Sequence, residues 1–229
     1  MINKKQIILF SVFVLLLTSN IYSMTAKEFY TNWVNFIIQK VISKQNWMNY
    51  YNDNKSWTEL TIGTKQSEKI NSPLGDFIKN KTALRYRKED GLTDLSFASN
   101  YSFDNVYTLH QNQVDRAKVI TDSVYYPSFY EILIEHENDI YNCYEEMVKL
   151  TYDRARLKVL ITYNENVDDT SDYKFANNIL IANFSTIIKQ ANNKYPENNE
   201  TEYLFIIGQI ENSKLVWYSY IFDYNGNVK

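Results

Sequence analysis

Residues 131–163, EILIEHENDIYNCYEEMVKLTYDRARLKVLITY, decide the fold. They read as strand, helix, strand. The first strand, 131–137, has an apolar body (Ile132, Leu133, Ile134) and ends in Glu135 and Glu137. Side chains alternate faces along a strand, so the two glutamates share one side and His136 takes the other. Carboxylates so placed repel unless a cation or a proton sits between them. Glu135-x-Glu137 is therefore the best candidate for a divalent metal site, with an exposed strand end carrying two solvated acids as the plain alternative. The helix that follows takes Asn138 or Asp139 as its cap. Ile140, Cys143, Met147 and Leu150 form its inward stripe, which makes Cys143 a small core residue. Glu145 and Glu146 precede Lys149 by four and three positions and predict a surface ion pair. Arg154 and Arg156 are expected to end the helix, where cations complement its dipole. Residues 157–163 then read as an apolar central strand, parallel to the first across a right-handed crossover.

Bulk properties narrow the function. The chain has 229 residues, 45% of them hydrophobic, with a net charge of −3, so nothing global marks it for nucleic acid. Any phosphate contact has to be local. Its 20 tyrosines and 12 phenylalanines suit a half-buried sheet. One cysteine excludes an internal disulfide and any cysteine-based zinc cluster, and two histidines exclude a multi-histidine site.

Residues 1–23 have the form of a secretory signal peptide. Lys4 and Lys5 precede an apolar run from Ile7 to Leu17, and Ser23 suits the cleavage position. The run is short for a bilayer span. The expectation is an exported protein, periplasmic or secreted, with residues 24–229 as a single α/β domain and no membrane span after cleavage. An uncleaved anchor, or a cytoplasmic protein translated from Met24, are the alternatives.

Around the central stretch the pattern is mixed. Residues 25–51 are helical, with Phe29, Trp33, Phe36, Ile37 and Val41 on one face, and Trp47, Tyr50 and Trp57 add an aromatic group. Residues 56–62 fit a helical turn or a short strand, 64–72 a polar loop, and 73–81 a short helix opened by a proline. Residues 83–99 read as two strands around an Asp90-Gly91 turn, with the return strand at 92–98 and Asp94 near its start. Residues 100–129 are an insert without recognisable chemistry, and 164–172 an acidic loop. Residues 173–191 read as a helix with Phe175, Ile179, Ala182, Phe184 and Ile187 inward, and 192–201 as a loop. The end is a hairpin, 202–210 and 215–224, turning near Asn212-Ser213. The fold class is thus α/β: a mixed central sheet flanked by helices, with a C-terminal β-hairpin.

An acid at a strand start, a strand ending in acid-x-acid, a helix carrying a lysine and then an apolar strand resembles the PD-(D/E)XK nuclease core over residues 83–163. The resemblance implies a restriction-endonuclease-like core and Mg²⁺-dependent phosphodiester hydrolysis, in an active or a degenerate member. It makes Asp94 and Glu135 the metal ligands. It puts Glu137 in the last motif position, where some restriction enzymes carry glutamate for lysine, and makes Lys149 the displaced lysine. Arg85, Arg87 and Lys88, with Arg154 and Arg156, become candidates for the nucleic-acid backbone. Thr93 stands where the family carries proline, and the insert lengthens the gap between Asp94 and Glu135.

The competing reading is an exported, non-enzymatic binding protein whose partner the sequence does not name. A serine or cysteine hydrolase is disfavoured, since no G-x-S-x-G elbow occurs and no second histidine lies near His136.

Overall fold

A computed structural model describes residues 24–66, 69–82, 84–87, 94–98, 130–163 and 179–229. The leader, Lys88, the Asp90-Gly91 turn, the insert 100–129, the loop 164–172 and Phe175 lie outside the described residues. Among those described, no helix is long and apolar enough to cross a membrane.

Helix α1 (Ala26–Phe36) starts at a capping box: Thr25 Oγ1 accepts from the Glu28 N–H, and the Glu28 carboxylate accepts from the Thr25 N–H. The Ala26 N–H also donates to Glu202 Oε2 at 2.9 Å, which pins the helix start to the sheet. Phe29, Trp33 and Phe36 are its buried stripe. The expected single helix over 25–51 is broken instead. A π-helical turn (Ile37–Ile42) and the left-handed Asn46 separate α1 from α2 (Trp47–Tyr51). Residues 56–62 belong to a helix, α3 (Asn54–Thr61). Residues 64–72, read above as a loop, contain a small hairpin of β1 (Thr64–Gln66) and β2 (Lys69–Asn71). The sequence there is polar and lacks the alternation that announces a strand. Helix α4 (Pro73–Thr82) matches its expectation.

The sheet has six strands in chain order. They are β3 (Arg85–Arg87), β4 (Leu95–Ala98), β5 (Tyr130–Glu137), β6 (Ala155–Tyr163), β7 (Glu202–Glu211) and β8 (Lys214–Asp223). β3, β4 and β5 run antiparallel to one another; β5, β6 and β7 are parallel; β8 returns antiparallel. The sheet is mixed and flanked by helices, as expected. Helix α5 (Cys143–Tyr152) joins β5 to β6, and α6 (Ile181–Lys194) precedes β7. β6 is buried along nearly its whole length, which is why its sequence is an apolar run rather than an alternation.

Two cores sandwich the sheet. Ile132, Ile134, Val159, Ile161, Leu204 and Ile206 pack with α1 to α4 on one face. Leu133, Leu160, Phe205 and Ile207 pack with Cys143, Met147 and Leu150 of α5 and Phe184 and Ile188 of α6 on the other. Each fully buried aliphatic side chain contributes roughly 1.5–3 kcal/mol against exposure. The inward face of α6 is Leu180, Phe184 and Ile188, not Ile179 and Ala182, which are exposed. Ile187, half-buried, packs against the same core, as expected. Arg156 is likewise not at a helix end; it lies in β6 and pairs with Glu200.

The β7–β8 turn places Asn212 and Ser213 at φ 50° and 62°, the left-handed pair that a two-residue hairpin needs. The outer edge of β8 is engaged at two points. Tyr30 Oη donates to the Trp217 carbonyl at 2.5 Å, and the Lys229 N–H to the Ile221 carbonyl at 2.9 Å.

Candidate metal centre

The site forms where the start of β4 meets the end of β5. These strands are antiparallel with Leu95 opposite Ile134, so one further step sets Asp94 beside Glu135. Two hydrogen bonds fix Asp94 there. Its N–H donates to the Ile134 carbonyl at 3.1 Å, and its Oδ2 accepts the His136 N–H at 2.8 Å. The candidate first acid and candidate second ligand are thus neighbours across a strand pair.

Strand alternation separates the side chains of β5 as the sequence implied. His136 faces the α1–α4 core, its ring 5.6 Å from that of Tyr163 and 6.4 Å from that of Trp33, with Nε2 3.5 Å from Thr61 Oγ1. Glu135 faces the side covered by α5. It is only 4% exposed, and its Oε1 has no hydrogen-bond partner. A buried carboxylate oxygen left unpaired is costly. Burial first, then the charges of Asp94 and Glu146, push its carboxyl up to about 9, against a smaller opposite pull from Lys149.

Helix α5 delivers the other half. Asp139 caps the turn before it: Oδ1 accepts the Tyr141 N–H at 2.9 Å. Lys149 Nζ lies 2.7 Å from both carboxylate oxygens of Glu146, and the hydrogen bond to Glu146 is the main cause that raises the lysine above its usual value. The predicted ion pair exists, but its acid is not on the surface. The Glu146 side chain is 12% exposed and within reach of Glu135. The signal was present in the sequence: Glu146 is three residues after Cys143 and four before Leu150, on the inward stripe of the helix.

Glu137 sits two residues past Glu135 on the same face, opposite Thr162 of β6. Its carboxyl is raised chiefly by burial, while the Asp139 N–H, donating to Oε1 at 2.8 Å, lowers it. The charge of Glu146 raises it further, and the bond from Asp139 ties it to the loop into α5. Cys143 is fully buried, donates weakly to the Asp139 carbonyl at 3.7 Å, and has its thiol pushed far up by burial, so it is core rather than nucleophile.

The basic candidates divide. Arg85 and Arg87 occupy β3, the edge strand next to β4, while Lys88 lies outside the described residues. Arg154 and Arg156 are at the other end of the sheet from Glu135. Their end of β6 pairs with the beginning of β5, since Tyr130 is opposite Ala155. Four strand residues for Arg156 and six for Arg154, about 13–20 Å, separate them from the level of Glu135. Arg154 and Arg156 do not belong to the site.

Among the described residues no three Asp, Glu, His or Cys side chains are grouped so as to hold a metal ion. Two hard carboxylates, one with an orphaned buried oxygen, suit Mg²⁺, which keeps most of its water and takes one or two carboxylates plus substrate phosphate. They do not make the closed nitrogen and sulfur cage of a structural zinc.

Sequence reading missed a second buried charge. Lys158 of β6 is fully buried, ion-paired to Glu197 and 3.1 Å from Tyr203 Oη. It ties the loop after α6 to the sheet. Comparison with protein-family models, with curated proteins and with solved structures gave no match to this chain.

Proposed function

We propose that this protein is a Mg²⁺-dependent phosphodiesterase of the PD-(D/E)XK kind, acting on nucleic acid. The observation that carries the reading is the locking of Asp94 beside buried Glu135, with Lys149 of the next helix in electrostatic reach of both. The order of elements supports it: three antiparallel strands, a helix, then a strand parallel to the third. Asp94 and Glu135 would hold the ion. When bound, it supplies charge to a phosphoryl oxygen and acidity to its water. Glu137, half-buried with a raised carboxyl, suits a proton acceptor at the rim of the site. The Lys149 ammonium offsets charge that builds up on phosphate. Arg85 and Arg87 of the edge strand β3 would contact the backbone, and Lys88 is a further candidate from the sequence. The leader would direct this activity outside the cytoplasm.

One observation favours the non-enzymatic reading, an exported binding protein or inactive relative. Lys149 Nζ already holds both oxygens of Glu146, and burial pushes the Glu135 carboxyl up to about 9, which disfavours the charged form a metal needs. Calorimetric titration with Mg²⁺ and Mn²⁺, beside Glu135→Gln, decides between them, followed by cleavage assays on DNA and RNA. Saturable binding lost in the variant, with metal-dependent cutting, supports the nuclease. No binding in the parent protein removes it.

A further inference from the structure

A cavity of about 600 Å³ opens between the π-helical turn, α3 and α4, in the helical layer on the far side of the sheet from α5. That volume suits a small molecule. Leu60, Pro73 and Phe77 line it half-buried and form an apolar floor. The Phe77 ring also packs inward on Phe36, with ring centres 5.5 Å apart. Lys40, Lys44 and Lys81 line the same cavity from exposed positions. The local fold delivers each of them. Ile37 and Val41 are buried and hold the π-helical turn to the core, while Lys40 of that turn stays outside. Lys44 follows two residues after the turn, with Nζ 5.9 Å from the Tyr50 ring centre. Lys81 lies in the last turn of α4, with Nζ 5.7 Å from the Phe77 ring centre.

The charge around this cavity sets it apart. The chain has a net charge of −3, and Lys149, Arg156, Lys158 and Lys229 are each paired with a carboxylate. Among the described residues, no carboxylate lies within ion-pair distance of Lys40, Lys44 or Lys81. Asp76 is the one acid on the lining. Like charges gathered around one cavity repel, and an anion between them relieves the repulsion. π-Helical turns are rare and frequently mark functional sites.

We propose that this cavity binds a phosphorylated small molecule of nucleotide size. Its phosphate rests among Lys40, Lys44 and Lys81, and its ring lies on the floor formed by Leu60, Pro73 and Phe77. The site is separate from the acids, since Glu135 faces α5, and it does not depend on the metal reading.

The experiment is calorimetric titration of the protein in metal-free, phosphate-free buffer with three probes: adenosine 5′-monophosphate, adenosine and inorganic phosphate. The monophosphate is expected to saturate one site and to bind at least tenfold more tightly than either fragment. Lys40→Gln combined with Lys81→Gln should weaken it at least tenfold, and Lys44→Gln alone severalfold. Lys194→Gln, on α6 across the sheet, should leave it unchanged. The three cavity lysines are exposed and unpaired, so a thermal melt of each variant should match the parent protein. Absence of saturable monophosphate binding overturns the proposal, as does an affinity that the cavity lysine variants leave unaltered. Inorganic phosphate binding as tightly as the monophosphate overturns the role of the apolar floor, and adenosine binding as tightly overturns that of the lysines. No divalent ion enters the assay, so failure here leaves the nuclease reading standing.

Discussion

The main-chain N–H of His136 donates to Asp94 Oδ2 at 2.8 Å, so one carboxylate closes the β4–β5 strand pair and presents its charge to Glu135. The structural and electrostatic tasks of Asp94 can be separated. Asp94→Asn keeps an oxygen to accept the N–H and removes the charge. Asp94→Ala removes both. We expect Asp94→Asn to melt near the parent protein and to bind Mg²⁺ at least tenfold more weakly. Asp94→Ala should lose a further ~1–2 kcal/mol of stability in urea, the cost of an unpaired buried N–H. Equal destabilisation of the two variants with unchanged ion binding would make Asp94 purely structural.

Glu135 should write a slope into the pH dependence of stability. Its carboxyl is raised from 4.5 to about 9, first by burial and then by Asp94 and Glu146. Between those values the native protein holds a proton that the unfolded chain has released. Stability therefore falls as pH rises across that window and levels off above it. A shift of this size corresponds to a few kcal/mol, on the order of 1.4 kcal/mol for each pH unit. Urea titrations at pH 5, 7 and 9 should show the decline in the parent protein and a much flatter response in Glu135→Gln. Ion uptake must expel the same proton, so Mg²⁺ affinity should rise with pH. Identical slopes in the two proteins would count against a protonated Glu135.

Gly208 is required by a close approach and not by a turn. A Cβ there would lie 2.5 Å from Trp217 Cζ3, on the neighbouring strand. The indole itself packs edge-on to Trp33, with ring centres 5.1 Å apart. Gly208→Ala should push the indole out of place, at a cost of about 1–3 kcal/mol, and red-shift the tryptophan emission. A variant with unaltered emission and melting temperature would mean that Trp217 has room to move.

The central stretch was legible because its signals agree with one another. An apolar strand, a capped amphipathic helix and a second apolar run leave little choice but a parallel pair, and β5, α5 and β6 follow that reading closely. The meeting of Asp94 with Glu135 was reachable only through the resemblance, because strand register is not written in local pattern. Glu146 was misread because an i,i+3 lysine offers a sufficient surface explanation, although the helical stripe pointed inward. On α6, Phe184 and Ile187 meet the core as expected while Ile179 and Ala182 do not, because the buried stripe runs at four-residue spacing through Leu180, Phe184 and Ile188. Lys158 escaped notice for a related reason: a buried lysine is intelligible only through Glu197, thirty-nine residues further on.

Lys158 also gives a test of how the sheet holds the loop after α6. The ammonium is fully buried, and burial pulls its proton affinity down while Glu197 restores it in part. Tyr203 lies beneath it, with Nζ 4.9 Å from the ring centre. The Glu197 N–H donates to Asn192 Oδ1 at 2.7 Å, so the pair anchors the end of α6 as well. Breaking one side of such a pair leaves a buried charge without compensation, whereas removing both sides costs little. Lys158→Met should therefore lose about 3–5 kcal/mol in urea unfolding. Lys158→Met combined with Glu197→Gln should recover most of that loss, since the remaining amide carries no charge. A double variant no more stable than Lys158→Met alone would show that the penalty comes from lost packing against Tyr203 and not from the stranded carboxylate.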